Sequence, residues 1–491
     1  MLSLSDSYPF LDLLFISAVF ISILVHAKGK QLRLPPGPKP LPIVGNWFEL
    51  PGEKQWETYN LWAKEYGDIV HVKDFGKDII ILNSFKAASD LLEKKSNLYS
   101  SRPQLIMFHE MMDFGGTTSF QPYGNTWRKH RTLYNRQLHK GAMGQFEALQ
   151  YSAVKRLLPS LVDSPEKLRK HVRHMAAAIV LDFAYGYDLQ GENDPLLSIL
   201  QGNIRMFVKA IKPGAFLVDN FPILKFLPDW FPGAGFKKIA AEARVGVYLS
   251  RDIPFKAVKE ALKAGIAKPS FVGNSLLQLG LDDESNEDID AVKRVAAGIL
   301  GAGTDTTAST LMVFILAMAT HPQYMRKAQE ELSKVVGQSR LPEFDDRPAL
   351  PYIEAILKEV LRWFPVVPTG LPHATTMEDV YEGYRIPSGS IVIPNTWKML
   401  HDPETYPDPY VFRPERFIPD TTGRTPERDP SITGSFGFGR RICAGRNLAE
   451  ATLWLTIATL LTVFDFANAV DEHGTKLDPK RAIQPAGGGL W

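Results

Sequence analysis

"FGFGRRICAG", Phe436 to Gly445, holds the single cysteine of a chain of 491 residues. One cysteine excludes an intrachain disulfide, a paired-cysteine redox motif and any cysteine-rich zinc or iron–sulfur site. Cys443 is then either a small buried hydrophobe or a lone thiolate acting as ligand or nucleophile. Its neighbours favour the thiolate. Gly437, Gly439 and Gly445 permit a tight turn with exposed backbone, which a packed core cysteine does not need. The apolar run that follows, "AGRNLAEATLWLTIATLLTVF", reads as a helix and puts Cys443 just ahead of its N-terminus. Partial positive charge there, with Arg440 and Arg441 nearby, favours the deprotonated sulfur. Without a second cysteine or a nearby histidine, the pattern suits a cofactor metal with one protein ligand, and haem iron fits it.

A chain of this length can bury a large core. Its net charge of +2 says little about partners, and no basic blocks interleave with aromatics, so nucleic acid is not expected. No internal repeat is visible.

Near the start, "YPFLDLLFISAVFISILVHA", Tyr8 to Ala27, has the length of a membrane-crossing helix, with Asp12 its only formal charge. Lys28, Lys30 and Arg33 follow it, so the positive-inside rule leaves the rest of the chain in the cytosol. The stretch lacks the basic start and small-residue cleavage site of a secretory signal, which makes residues 1–27 an anchor. "LRLPPGPKPLPIVGN" then reads as part of a stiff proline-rich hinge over 28–46, with the globular body over 47–491.

In the body, "DIVHVKDFGKDIIILNS" alternates about a glycine-containing turn and predicts a hairpin. "SFKAASDLLEKKS" has helical spacing. The acidic stretch Leu281 to Asp290 reads as a solvated loop or helix start, Tyr381 to Trp397 as a second hairpin, and Ile418 to Gly434 as an irregular meander. The sum is a mainly helical α+β protein.

The longest apolar run, Val295 to Thr320, is long enough for a second membrane span. Thr304, Asp305, Thr306 and Thr307 interrupt it beside Gly301 and Gly303, which favours a helix buried in a large core with room for a ligand. Thr306 can donate a hydrogen bond there, and an acid beside a hydroxyl suits proton delivery to dioxygen at a haem face.

At these residues the chain resembles the cytochrome P-450 superfamily of haem-thiolate monooxygenases. Phe436 to Gly445 matches the haem-binding pattern F-x-x-G-x-R-x-C-x-G, and "AGTDTT", Ala302 to Thr307, the oxygen-activation motif. "EVLR", Glu359 to Arg362, "PERF", Pro414 to Phe417, and "WRKHR", Trp127 to Arg131, supply three further motifs in family order. The resemblance implies the family's fold: a long central helix over haem b, a small N-terminal β-rich region and, ahead of them, a single transmembrane helix. It implies Cys443 as the axial thiolate, with Phe436, Gly439 and Gly445 around it, and Trp127, Arg131, Arg441 and His373 as contacts to the haem propionates. Asp305 and Thr306 become the catalytic pair. Glu359, Arg362 and Arg416 take a structural role; the first two, three apart, share a helix face and can pair.

Further implications concern partners and substrate. Electrons come from NADPH through a separate flavin-containing, membrane-bound reductase, and the catalytic unit is monomeric, on the cytosolic side of the endoplasmic reticulum. Pocket walls are expected around Phe108–Phe120, Met206–Phe221, Ala297–Ala302 and Val366–Leu371, with Phe108, Met111, Met112 and Phe114 facing a small hydrophobic substrate. The alternative for a Met and Phe stripe is ordinary core. "DNFPILKFLPDWFPGAGFKKIA", Asp219 to Ala241, is similar to fungal members of secondary metabolism that take terpenoids, polyketides or indoles. Two rival readings share the thiolate: an isomerase or dehydratase that uses no dioxygen, and a haem sensor.

Overall fold

The computed structural model describes residues 32–468, apart from 192, 212–213, 281–286 and 420–424. The anchor expected over 1–27 lies outside the described residues, as do the first four residues of the hinge and most of the acidic stretch.

Helices dominate: α1 (Gln55–Tyr66), α2 (Asn125–Leu138), α3 (Glu147–Asp163), α4 (Leu168–Tyr185), α5 (Pro195–Ile211), α6 (Gly235–Lys263), α7 (Phe271–Leu279), α8 (Glu287–Thr320), α9 (Pro322–Val335), α10 (Pro351–Trp363) and α11 (Arg446–Val463). Helix α8 is the axis of the molecule and packs on α2, α4, α6, α7, α10 and α11. Glu287, Asp288 and Asp290 in its first turn complement the helix dipole. It is the one helix among the described residues long and apolar enough to cross a membrane, yet 61% of its most apolar window is buried in protein. Apolar residues on all its sides therefore face other helices, not lipid.

Strands β1 (Ile69–Asp74) and β2 (Lys77–Leu82) form the early hairpin. Its two-residue turn has φ of 43° at Phe75 and 85° at Gly76, the left-handed pair whose twist matches the flanking strands. Strand β3 (His373–Ala374) precedes the pair β4 (Asp379–Tyr381) and β5 (Tyr384–Ile386), and β6 (Ile391–Pro394) follows. The second hairpin thus ends at Ile386 instead of spanning Tyr381 to Trp397. Pro387 offers no N–H to extend the ladder, and a turn with Gly389 at φ 77° sends the chain elsewhere. Strand β6 runs parallel to β2, with Ile80 opposite Val392, and antiparallel to β3, giving the sheet order β1-β2-β6-β3.

The described part of the hinge is docked, not free. The Pro36 carbonyl accepts from the His71 amide at 2.9 Å, and Asn46 and Lys73 exchange hydrogen bonds of 2.7 and 2.9 Å. Proline-rich chain with few donors covers the open edge of β1.

Candidate active site

A cavity opens where α8 crosses the Cys443 loop, walled by α2, α4, α11 and the segment from Phe364 to His373. The loop is closed on itself: the Cys443 amide donates to the Phe436 carbonyl at 2.8 Å and the Gly437 amide to that of Gly434 at 2.9 Å. Gly439 sits at φ 52°, and a Cβ there would lie 2.2 Å from the Leu92 carbonyl oxygen, so no other residue lets the loop pack so closely. Gly439 itself does not line the cavity, and its place against the Leu92 carbonyl makes it a loop-packing residue. Gly445 does line the wall, with φ −88°, and turns its N–H toward the sulfur ahead of α11.

The Cys443 side chain is open to the cavity but otherwise surrounded by protein. Burial pushes its thiol up, opposed by the Gly445 N–H and by the charges of Arg131 and Arg446. The cations acting on the sulfur are therefore not the two expected from sequence adjacency. Arg440 lies over the Tyr123 ring and bonds its hydroxyl, while the Arg441 guanidinium turns away to three carbonyls.

Those carbonyls belong to Ser100, Thr118 and Gln121, at 2.6, 3.1 and 2.6 Å. Arg441 also covers the Trp127 ring, 4.8 Å from its centroid. Arg131, one turn along α2 from Trp127, donates to the Ile442 carbonyl at 2.7 Å. A third guanidinium, Arg102, donates to the carbonyls of Ser119, Leu371 and Pro372. Sequence reasoning missed Arg102; its mark in the sequence is no more than an arginine before a proline. All three line the cavity, and among the described residues none has a carboxylate within ion-pair distance. Burial, and then repulsion by Arg131, brings Arg441 down to about 9. Burial and the Arg441 charge likewise depress Arg102.

His373, on β3, contributes its Nδ1 to the Tyr99 carbonyl at 2.7 Å. Burial and the Arg102 charge hold its pKa well below the usual histidine range. In the neutral ring Nδ1 carries the proton for Tyr99, so Nε2 can donate only once an anion nearby favours the imidazolium.

On α8 the two residues of the acid–alcohol pair point in different directions. Thr306 lines the cavity, with Oγ donating to the Ala302 carbonyl one turn back at 2.7 Å. Asp305 instead forms a two-point ion pair with Arg173 of α4, at 2.7 and 3.0 Å, outside the cavity wall. The aromatic wall expected from Phe108 to Phe120 is also elsewhere. Phe108, Phe114, Phe120 and Phe207 stack on one another with centroids 4.6–5.9 Å apart, and Met112 joins them in a separate core. From that stretch Thr118 and Ser119 line the cavity, and from Met206–Phe221 no described residue does. The apolar walls come from Ile179, Val180, Ile299, Val366, Val367 and Leu371.

Behind the cavity, Glu359 and Arg362 of α10 pair through two bonds of 2.7 and 2.9 Å, and Arg416 joins the same carboxylate at 3.1 Å. All three are fully buried. Arg416 is matched further by Glu427 at 2.6 Å, and Arg362 donates to the carbonyls of Leu400 and Pro409.

A lone sulfur open to a largely apolar cavity, with two buried guanidiniums and the half-buried Arg131, none of them met by a carboxylate, fits a flat apolar cofactor carrying two carboxylates and a metal. Haem b has that chemistry. The family model described as Cytochrome P450 matches residues 35–488. The chain belongs to the cytochrome P450 family. This P450 is 43% identical to the cytochrome P450 monooxygenase ple1 of Rhodocybe pseudopiperita, over 94% of this chain and 88% of that one. It is 43% identical to the monooxygenase claR of Ampulloclitocybe clavipes, over 92% and 83%. With the tryptamine 4-monooxygenase of Psilocybe cyanescens it shares 37% identity over 95% and 93%. Like these fungal relatives, it is a haem-thiolate monooxygenase.

Proposed function

We propose that this P450 inserts one oxygen atom into a small hydrophobic substrate of fungal secondary metabolism, of the terpenoid, polyketide or indole class. The observation that carries the reading is that one cavity is lined by both Cys443 and Thr306 together with aliphatic side chains. Haem held there by the Cys443 thiolate would supply dioxygen chemistry.

The chain's own residues do the rest. Cys443 Sγ would hold the haem iron, and the Gly445 N–H beside it would moderate the sulfur's electron donation. Arg102, Arg131 and Arg441 would hold its propionates, with Trp127 stacked beneath Arg441 and His373 at the cavity edge. Thr306 Oγ holds the proton delivered into the cavity, after giving up its bond to Ala302. Asp305 replenishes that proton from its partly exposed position beside Arg173, the ion pair opening to let the carboxyl turn. Val366, Val367 and Leu371 exclude water and orient the substrate. Electrons come from NADPH through a separate flavin reductase, and the segment over 1–27 tethers the enzyme to the endoplasmic reticulum, facing the cytosol.

Thr306→Ala separates this reading from its rivals. With a reductase and a turned-over substrate, the variant should consume NADPH while releasing most of the reducing power as peroxide. Unchanged product yield per NADPH would contradict the assigned proton route through Thr306.

A further inference from the structure

The charges around the Cys443 cavity are one-sided. Among the described residues, none that lines it is an aspartate or a glutamate, while Arg102, Arg131 and Arg441 all do. The acids at neighbouring positions are directed elsewhere. Asp305, next to the lining Thr306, is held by Arg173 at 2.7 Å, and Glu359 is shared by Arg362 and Arg416. Glu450, next to the lining Ala449, stays outside the wall. Haem would not reverse the balance, because its two propionates would meet three guanidiniums before any substrate entered.

An aromatic face is the second way to hold a cation. The Trp127 ring already carries Arg441, 4.8 Å from its centroid. Phe364 packs edge-on against Trp397, with centroids 5.2 Å apart. Helix α8 and the segment 366–371 put no ring into the wall. Their side chains there are aliphatic, apart from threonines such as Thr306 and Thr310, whose hydroxyls donate back to the carbonyls of Ala302 and Thr306. An ammonium group entering this space gives up its water and gains neither an acid nor a free ring.

We propose that the cavity rejects protonated amines and takes uncharged molecules, so that of the classes named above it accepts terpenoids and neutral polyketides and refuses basic indoles. The inference rests on the oxygenase reading of the same cavity and narrows its substrate.

The test needs two molecules of one shape that differ only in charge. Adamantylmethyl-trimethylammonium and its carbon isostere, neopentyladamantane, meet that need, and the quaternary nitrogen has no lone pair with which to ligate iron. Each is titrated into the full-length, haem-loaded protein in neutral detergent, and binding is read from the shift of the haem absorption band. The neutral molecule should bind, and the cation should bind roughly a hundredfold more weakly or not at all. Val367→Asp places a carboxylate in the wall and should narrow that gap at least about tenfold, with an unchanged carbon monoxide difference spectrum showing that the variant has folded and kept its haem. Equal affinity of wild type for the two molecules overturns the proposal, and so does binding of neither. A folded Val367→Asp variant that discriminates as wild type does overturns it too, since charge is then not the cause. Binding requires no turnover, so a protein that discriminated by charge yet consumed no dioxygen would contradict the oxygenase reading and leave the charge selection standing.

Discussion

Arg362 and Arg416 are fully buried, and Arg102 and Arg441 nearly so, at 4% and 9% exposure. The first two converge on Glu359, and Arg416 has Glu427 besides. The second two, with Arg131, have carbonyl oxygens alone and repel one another. Burying a cation costs several kcal/mol unless an anion meets it. One cluster is therefore complete within the chain, and the other is complete only with a dianionic ligand. The difference separates a scaffold from a binding site without reference to any motif.

The largest effect is expected at Glu359. Glu359→Gln leaves two buried arginines without their shared acid and should cost about 3–5 kcal/mol in chemical unfolding. A loss below about 1 kcal/mol would mean that the carbonyl partners of Arg362 and Arg416 suffice. At the cavity, Arg441→Met should weaken haem binding roughly tenfold, the value of one charge-assisted contact. The unfolding midpoint of the haem-free protein should change far less than in Glu359→Gln. A midpoint that falls as far as in Glu359→Gln would place Arg441 in the scaffold.

His373 sharpens the contrast through pH. Its folded pKa lies below the unfolded value, so the folded chain binds fewer protons than the unfolded one as pH falls below about 6.5. Stability present above that pH is lost on acidification, by at most about 1.4 kcal/mol per unit. The haem-free His373→Gln variant should show a flatter slope of midpoint against pH between about 6.5 and 5. A slope equal to wild type would put the acid sensitivity elsewhere, with the buried His401 and His130, held down to about 3 and about 4, as the next candidates.

Local features were legible in the sequence because local physics produces them. The Phe75–Gly76 turn, the buried character of α8 and the helix after Cys443 each follow from spacing and residue type within a short window. What depends on distant chain was not legible. Strand β6 joins β2 across some three hundred residues, and β propensity names no partner. The turning of Asp305 onto Arg173 depends on where α4 lies. The rings of Phe108 and Phe114 could as well have faced the cavity until Phe207 was known to fill the space against them. Arg102 carried no signal, since its meaning comes only from standing beside Arg131 and Arg441 with no acid near.

The most direct measurement compares the affinity of the haem-free protein for haem and for haem dimethyl ester, which has the same iron and ring but no propionate charge. Wild type should prefer haem by at least about tenfold, and Arg131→Met with Arg441→Met should abolish most of that preference. Equal binding of the two by wild type would contradict it, because the three unmatched arginines would then have some purpose other than the propionates.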